Sequence, residues 1–165
     1  MTIYCIDTSS LINIHQWRPR RRFAQIWRNL EQFIESERLI APREVFQEVS
    51  RRDDSLKGWA RAHKDMFQRS TRELLATAQM VVRRFPDLVD SEAPTPTQAD
   101  PFVVALAHLT GQNLLLLQGR CVVVTEEVYK PNCTKIPHVC EALQLPYMTV
   151  HQLFVTENWD FGTSL

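Results

Sequence analysis

The sequence predicts an α/β fold, in which a short central parallel sheet forms the middle layer of a three-layer α/β/α sandwich. Two observations carry this prediction. Residues 3–6 (IYCI) and 121–125 (CVVVT) are short segments rich in β-forming, apolar residues, as is typical of parallel strands buried on both faces. Helical segments lie between such strands, and this alternation favours a parallel sheet covered by helices.

The first half of the chain contains two predicted strands and the helices that follow them. After the strand at 3–6, apolar residues from Phe23 to Ile34 recur every three or four positions and predict a helix with one apolar face. Residues 38–42 (RLIAP) predict a second strand, which Pro42 ends and which leads directly into another helix.

The middle of the chain is rich in predicted helix. Residues 56–85 predict two helices with a break near residues 69–72. Residues 86–90 (PDLVD) predict a short extended segment, and the proline-rich residues 91–98 predict a loop. We see no internal repeat. The loop at 91–98 is the one candidate for a domain boundary in the sequence.

The last part of the chain returns to the alternation of helix and strand. Asp100 fits the N-cap of a helix that has Pro101 at its first position and ends at Gly111. The strand at 121–125 follows, and residues 147–150 predict a last strand with one or two helical turns after it.

Length and charge limit the classes of protein to consider. A chain of 165 residues predicts a single domain, with residues 51–90 as a helical elaboration. The 19 Lys and Arg residues balance 19 Asp and Glu residues, so there is no global basic charge for nucleic-acid binding. The run Arg18–Arg22 is a local basic patch, which fits a solvated surface equally well. No apolar run could span a bilayer and no signal peptide is recognisable, so we expect a soluble, cytoplasmic protein without a membrane partner.

The four cysteines fit reduced thiols. Cys5 and Cys121 lie in or beside apolar strands, where cysteine behaves as a small apolar residue. Cys133, His138 and Cys140 lie near one another but match no zinc-binding spacing.

Acidic residues recur where the predicted strands end. They are Asp7 after the first strand, Glu44 and Glu48 after the second, Asp100 after the loop, and Glu126 and Glu127 after the strand at 121–125. Carboxylates that lie close together raise each other's pKa unless a cation lies between them. Ligands made only of oxygen fit Mg²⁺ or Mn²⁺, and such ions activate water for attack at phosphorus. The pattern therefore predicts metal-dependent phosphodiester cleavage.

Each acidic residue also fits a structural role. Asp7 and Asp100 are suitable helix caps, Glu44 fits the first turn of a helix, and Glu126 and Glu127 fit a solvated loop. Any one of these structural roles is plausible alone. It is much less expected that all four segments carry acids for unrelated structural reasons.

Four segments resemble, in order, the acidic blocks of the PIN-domain nucleases, and among them the small VapC-type toxin-like members. They are YCIDTSSLIN, RLIAPREVFQEV, ADPFVVALA and VVVTEE, and the acids that match are Asp7, Glu48, Asp100 and Glu127, the last preferred to Glu126. The resemblance covers most of the chain. It implies a PIN-like fold and a metal-dependent endoribonuclease, often a toxin neutralised by an antitoxin protein. Dimers are common in that family, which makes a homodimer possible.

The chain departs from the family pattern at its fourth block. The fourth acid is Glu where Asp is common, and the second acid that often follows is absent, with Asn132 and Cys133 in the stretch that follows. The number of metal ions, one or two, is therefore left open. The stretch 51–90 is also longer than in minimal members.

The resemblance implies a role for each group of residues. Asp7, Glu48, Asp100 and Glu127 would be the catalytic and metal-binding residues for Mg²⁺ or Mn²⁺. Hydroxyl groups would orient these carboxylates, namely those of Thr8, Ser9 and Thr125. Arginines would contact the RNA backbone, namely Arg18, Arg20, Arg21 and Arg22.

Two alternative functions are considered. A catalytically weak PIN-like module would bind RNA or a protein partner without cleaving RNA. A phosphatase of the haloacid-dehalogenase type also begins with an acid at a strand end, but it needs a second Asp two residues later, where this chain has Ser9.

Overall fold

The computed structural model describes residues 1–52, 54–92 and 98–159. These residues form five strands, β1 (Thr2–Ile6), β2 (Leu39–Pro42), β3 (Phe67–Gln68), β4 (Arg120–Val124) and β5 (Tyr147–Met148). They also form eight α-helices, α1 (Thr8–Trp17), α2 (Ala24–Glu35), α3 (Arg43–Arg52), α4 (Asp54–Ala62), α5 (Arg72–Arg84), α6 (Asp100–Leu114), α7 (Ile136–Leu143) and α8 (Val150–Thr156). None of the helices in these ranges combines the length and the apolar character that a membrane crossing requires.

The five strands form one sheet in which every pairing is parallel. The strand order is β3-β2-β1-β4-β5, so β1 lies at the centre. The predicted parallel sheet is confirmed, and its strands are short. Because all strands run in one direction, their carboxyl ends meet at a single edge of the sheet, where α/β proteins of this kind bind their ligands.

Helices cover both faces of the sheet. Successive residues of a strand point to opposite faces. The ring of Tyr4 stacks on Phe33 of α2, with 5.9 Å between ring centroids, whereas the next residue, Cys5, places its Sγ 3.6 Å from the carbonyl oxygen of Val103 in α6. The helices α2 and α6 therefore lie on opposite faces, which confirms the predicted three-layer α/β/α sandwich.

The strand ends position the segments that carry the predicted acids. Asp7 comes directly after β1, α3 begins directly after β2, and Thr125 comes directly after β4. β1 is paired on both sides, with Ile6 opposite Val124. The segments after β1, β2 and β4 therefore emerge side by side at the carboxyl edge of the sheet.

Two helices were not predicted. Helix α1 begins with Thr and Ser, which are weak helix formers, and forms because Asp7 caps it and because Leu11 and Ile14 are buried. Helix α7 begins with Ile136 and has Pro137 in its first turn, a favourable position for proline.

Several predicted boundaries were wrong. Asp100 is the first helical residue of α6 and Ala99 occupies the N-cap position. Helix α6 continues past Gly111 to Leu114, because a glycine costs a helix only about 1 kcal/mol and Leu114 gains burial. The predicted extended segment at 86–90 begins instead with a 3₁₀ turn at Pro86–Leu88, and the backbone becomes extended only at Val89.

The predicted elaboration at 51–90 contributes to the sheet and to the core. Helix α4 ends at Ala62, before the predicted break near 69–72, because a 3₁₀ turn at Lys64–Met66 and the strand β3 come between the two helices. Leu56 and Trp59 belong to the main cluster of buried side chains. That the chain is one domain stays a prediction, and residues 93–97 of the predicted loop lie outside the described residues.

Candidate active site

Asp7 is a buried carboxylate held by several donors. The side chain is 2% exposed. Its carboxylate accepts hydrogen bonds from the Ser10 backbone N–H at 2.8 Å, from Thr125 Oγ1 at 2.6 Å, and from Ser9 Oγ at 2.9 and 2.8 Å. Burial raises the pKa of Asp7 to about 6, although the hydrogen bonds from Thr125 and Ser10 oppose the shift. The donors therefore fix the orientation of a carboxylate that is costly to ionise.

Glu48 lies at the same edge of the sheet and is also fixed by the protein. Its Oε2 accepts a hydrogen bond of 2.6 Å from Thr8 Oγ1, and its Oε1 accepts one of 2.9 Å from the backbone N–H of Ala99. Glu48 thus connects the start of α1 to the residue that precedes α6. The three hydroxyl residues predicted to orient carboxylates, Thr8, Ser9 and Thr125, each contact Asp7 or Glu48.

Asp100 lies within the electrostatic reach of the other three acids. Burial raises the pKa of Asp100 to about 8, and the negative charges of Glu127, Asp7 and Glu48, in decreasing order, add to the shift. Lys135 opposes it. In the part of the chain that the structure describes, no hydrogen bond to the Asp100 carboxylate is found. The four predicted acids are therefore coupled through Asp100.

Glu127 joins the site to the start of α7. Its Oε2 accepts a hydrogen bond of 2.9 Å from the Ile136 backbone N–H, and its Oε1 lies 3.7 Å from Lys135 Nζ. Its own backbone N–H donates to Thr125 Oγ1 at 3.1 Å. The same threonine hydroxyl donates to Asp7, so Thr125 ties the fourth acid to the first.

Glu126 has a different set of contacts. Its Oε1 accepts a hydrogen bond of 2.7 Å from the Val150 backbone N–H, at the start of α8. The charge of Glu126 acts on Arg18, whereas the charge of Glu127 has a larger effect on the pKa of Asp100 than those of Asp7 and Glu48. The electrostatics therefore favour Glu127 as the fourth acid of the cluster.

We expect substitutions at these two neighbours to have different effects on metal affinity. Glutamine keeps an oxygen that can accept from the helix N–H in either case, so both variants should fold. Glu127→Gln should weaken Mn²⁺ binding at least about 10-fold, whereas Glu126→Gln should change it by less than about twofold. Titration calorimetry with MnCl₂ measures both values, and equal losses in the two variants would contradict the assignment.

The chemistry of this cluster fits a hard divalent cation, although its side chains are not arranged as ligands. Within residues 1–52, 54–92 and 98–159, no group of three or more His, Cys, Asp or Glu side chains is placed so that it could hold a metal ion. The donors nevertheless are all carboxylate oxygens, which Mg²⁺ and Mn²⁺ prefer. A cation among them would relieve the repulsion that raises the pKa of Asp100. Asp7, Glu48, Asp100 and Glu127 are the residues that would hold it.

The predicted RNA-contacting arginines fall into two groups. Arg18 is held by the protein itself, since its guanidinium lies 5.1 Å from the centre of the Phe154 ring and donates to Asn13 at 3.2 Å. Arg20, Arg21 and Arg22 are exposed, and Arg20 lies 3.8 Å from Glu31. The exposed arginines are therefore the better placed to contact a substrate.

Sequence reasoning missed several groups that contribute to the site. Three acids accept hydrogen bonds from the backbone N–H groups of Ser10, Ala99 and Ile136, and such groups leave no trace in the identity of a side chain. Lys135 was also missed. The isoleucine and proline at 136–137 are a recognisable start of a helix and would have placed Lys135 at its N-terminus.

Comparison with known proteins gives a family but no activity. A family described as a domain of unknown function (DUF4411) matches residues 4–161, a range that contains all four acids. No curated protein matches the chain.

Proposed function

The chain belongs to the family described as a domain of unknown function (DUF4411), and we propose that it is a PIN-like, Mg²⁺- or Mn²⁺-dependent endoribonuclease. One observation carries the proposal. The charges of Glu127, Asp7 and Glu48 all act on Asp100, which itself has a raised pKa, so four acids from separate segments form one negative site. Their order along the chain, and the hydroxyl residues beside Asp7, are similar to the PIN-domain nucleases.

The chain's own residues would hold and orient the reacting groups. A bound divalent ion supplies activation of water and stabilisation of the negative charge that develops at phosphorus. Thr125 and Ser9 keep the Asp7 carboxylate in one orientation, and Thr8 does the same for Glu48. Lys135, which pairs with Glu127, limits the repulsion among the acids before a cation arrives.

The proposal extends to the biological setting. The likeness to VapC-type members supports a toxin of a toxin–antitoxin pair, acting on RNA in the cytoplasm and neutralised by an antitoxin protein. It is also compatible with a homodimer. Loss of RNA cleavage on addition of a protein encoded beside this chain would support that setting.

The enzymatic proposal is tested by RNA cleavage. The purified chain should cleave single-stranded RNA in the presence of Mn²⁺ and stop when EDTA is added. Asp7→Asn and Asp100→Asn should be inactive at equal concentration, because each removes a carboxylate that would hold the divalent ion. Equal cleavage by the wild-type protein and both variants would exclude this site as the source of the activity.

A second candidate function is a module that binds RNA or a protein partner without cleaving RNA. One observation favours it, since the oxygens of Asp7, Glu48 and Glu127 are all engaged by protein donors or by Lys135. Calorimetric titration with Mn²⁺ separates the two functions. Absence of heat at millimolar Mn²⁺ would favour the binding module, and saturable binding that Asp100→Asn removes would favour the nuclease.

A further inference from the structure

A cavity lies beside the start of α3 and the end of β3. It has a volume of about 610 Å³ and is lined mainly by cationic and aromatic side chains, namely Arg43, Lys64, Arg69, Phe46 and Phe67. None of these residues belongs to the acidic cluster or to the arginine run at 18–22. The cavity is therefore a separate feature of the surface.

The aromatic part of the cavity consists of two phenylalanines. Phe46 of α3 and Phe67 of β3 pack edge to face, with ring centroids 5.3 Å apart and an angle of 61° between the rings. Both are only partly buried, so part of each ring remains accessible to solvent. Aromatic rings of this kind bind nucleic-acid bases by stacking, and every base has a face that can stack.

The charged part of the cavity is positive. Arg43, Lys64 and Arg69 are exposed, and within the described residues none of them forms an ion pair. Asp65 is the one carboxylate among the residues that line the cavity, and it leaves the lining with more positive than negative charge. Cations that form no ion pair with the described residues, beside an aromatic surface, match the phosphates and bases of a single strand.

The cavity and the acidic cluster both include residues of α3. Arg43 is the first residue of this helix and Glu48 lies five positions later, which corresponds to about 7.5 Å along the helix axis. The segment that carries Arg69 is held against the same helix, because Ser70 Oγ donates a hydrogen bond of 2.9 Å to Glu44, a buried carboxylate. Glu48 lies two positions after Phe46, so the two side chains leave α3 on different sides. The cavity and the acidic cluster therefore share this helix but open in different directions.

We propose that this cavity, formed by Phe46, Phe67, Arg43, Lys64 and Arg69, binds a nucleotide of single-stranded RNA on the helix that also carries Glu48. A base stacks on the accessible face of one phenylalanine and contacts the edge of the other, and the phosphates on either side of that nucleotide pair with the cations. The assignment of RNA as the ligand rests on the proposed function. It predicts that the protein selects single-stranded over double-stranded RNA, because a base in a duplex has no free face for the phenylalanines.

The test measures binding without catalysis. Fluorescence anisotropy with a labelled hexauridylate in EDTA gives the affinity of the full chain at several salt concentrations. Removing two phosphate contacts in Lys64→Gln/Arg69→Gln should lower the slope of log affinity against log salt by about 1.4, and the affinity at 0.1 M salt by about 25-fold. Phe67→Leu, which keeps an apolar side chain but removes the ring, should weaken binding at least about 5-fold without a change in the slope.

A matched control and two contrary outcomes make the result decisive. Arg83→Gln removes an exposed cation from α5, outside the cavity, and should leave the slope unchanged. Circular dichroism verifies that each variant is folded. The proposal would be overturned if the cavity variants bound RNA with the slope and affinity of the wild-type protein. It would also be overturned if hexaglutamate, an acidic peptide without bases, displaced RNA from the wild-type protein while Phe67→Leu bound RNA normally. The binding measurement in EDTA does not depend on catalysis. The cavity proposal can therefore hold even if the protein does not cleave RNA, and it can fail even if the wild-type protein does cleave RNA.

Discussion

Replacing Asp100 with asparagine is expected to abolish RNA cleavage and, in the same molecule, to stabilise the metal-free fold. Cleavage should fall at least about 100-fold, because the variant loses a carboxylate that would hold the divalent ion. Stability should rise, because asparagine replaces a partly buried acid on which Glu127, Asp7 and Glu48 act with like charge. A loss of activity together with a gain in stability is expected for a residue that serves the chemistry, whereas a residue that serves the fold would lose stability when it is replaced.

The stabilisation should depend on pH with a definite sign. The pKa of Asp100 is about 8 in the folded chain, above the ordinary aspartate value of 3.8. Between these two values the folded state binds more protons than the unfolded state, so the stability of the wild-type protein falls as pH rises from about 4 to about 8. A shift of this size corresponds to roughly 6 kcal/mol. Solvent screening reduces that effect, and we expect the variant to be about 2 kcal/mol more stable at pH 8.

Urea unfolding in EDTA at pH 5 and pH 8 measures this effect. The wild-type protein should lose more stability between the two values than Asp100→Asn, and the remaining pH dependence should include a contribution from Asp7, whose pKa is about 6. Asp87→Asn, an exposed acid in the 3₁₀ turn before α6, is the matched control and should behave like wild type. A variant less stable than wild type at pH 8 would show that Asp100 supports the fold.

The two substitutions Asp7→Ala and Asp7→Asn should separate the charge of this residue from its role as a hydrogen-bond acceptor. Both remove the negative charge and should be equally inactive in RNA cleavage. Asparagine keeps an oxygen for the Ser10 N–H and caps a helix as well as aspartate does. Alanine leaves that N–H and the buried hydroxyl of Thr125 without their acceptor. We therefore expect Asp7→Ala to be about 3 kcal/mol less stable than Asp7→Asn.

Equilibrium unfolding in urea with EDTA measures the difference between the two Asp7 variants. Comparison of the variants with each other, rather than with wild type, removes the cost of ionising a buried carboxylate, since neither carries the charge. Equal stability of the two variants would mean that the hydrogen bonds around Asp7 contribute little to the fold.

The fold class could be predicted because the strands carry a local signal. β1 and β4 are apolar on both faces, and only a buried parallel strand needs that pattern. Helix α1 could not be predicted in the same way. Its first residues are poor helix formers, and the helix depends on Asp7 as a cap and on the burial of Leu11 and Ile14.

The acids of the candidate site could be identified from the sequence, but their relations to one another could not. Asp7, Glu48 and Asp100 each follow a recognisable start of a helix or an end of a strand. The block pattern prefers Glu127 to Glu126, but the contacts that distinguish these adjacent residues needed coordinates. Glu126 accepts a hydrogen bond from the Val150 N–H of α8, whereas Glu127 accepts one from the Ile136 N–H of α7. The cavity at Phe46 and Phe67 was also invisible, since it depends on the short strand β3 pairing beside β2.

The central position of β1 has a consequence for the order of folding during synthesis. This strand is made before the other four strands, yet one of its two neighbours, β4, ends at Val124, more than 100 residues later. The hydrogen bond between Asp7 and Thr125 spans 118 residues, so the sheet centre and the acidic cluster both require contacts between distant parts of the chain. Such contacts form slowly because a long loop must close first. A nascent chain that ends before Thr125 therefore lacks the site, and any activity that depends on the cluster begins only after β4 has been made and has paired with β1.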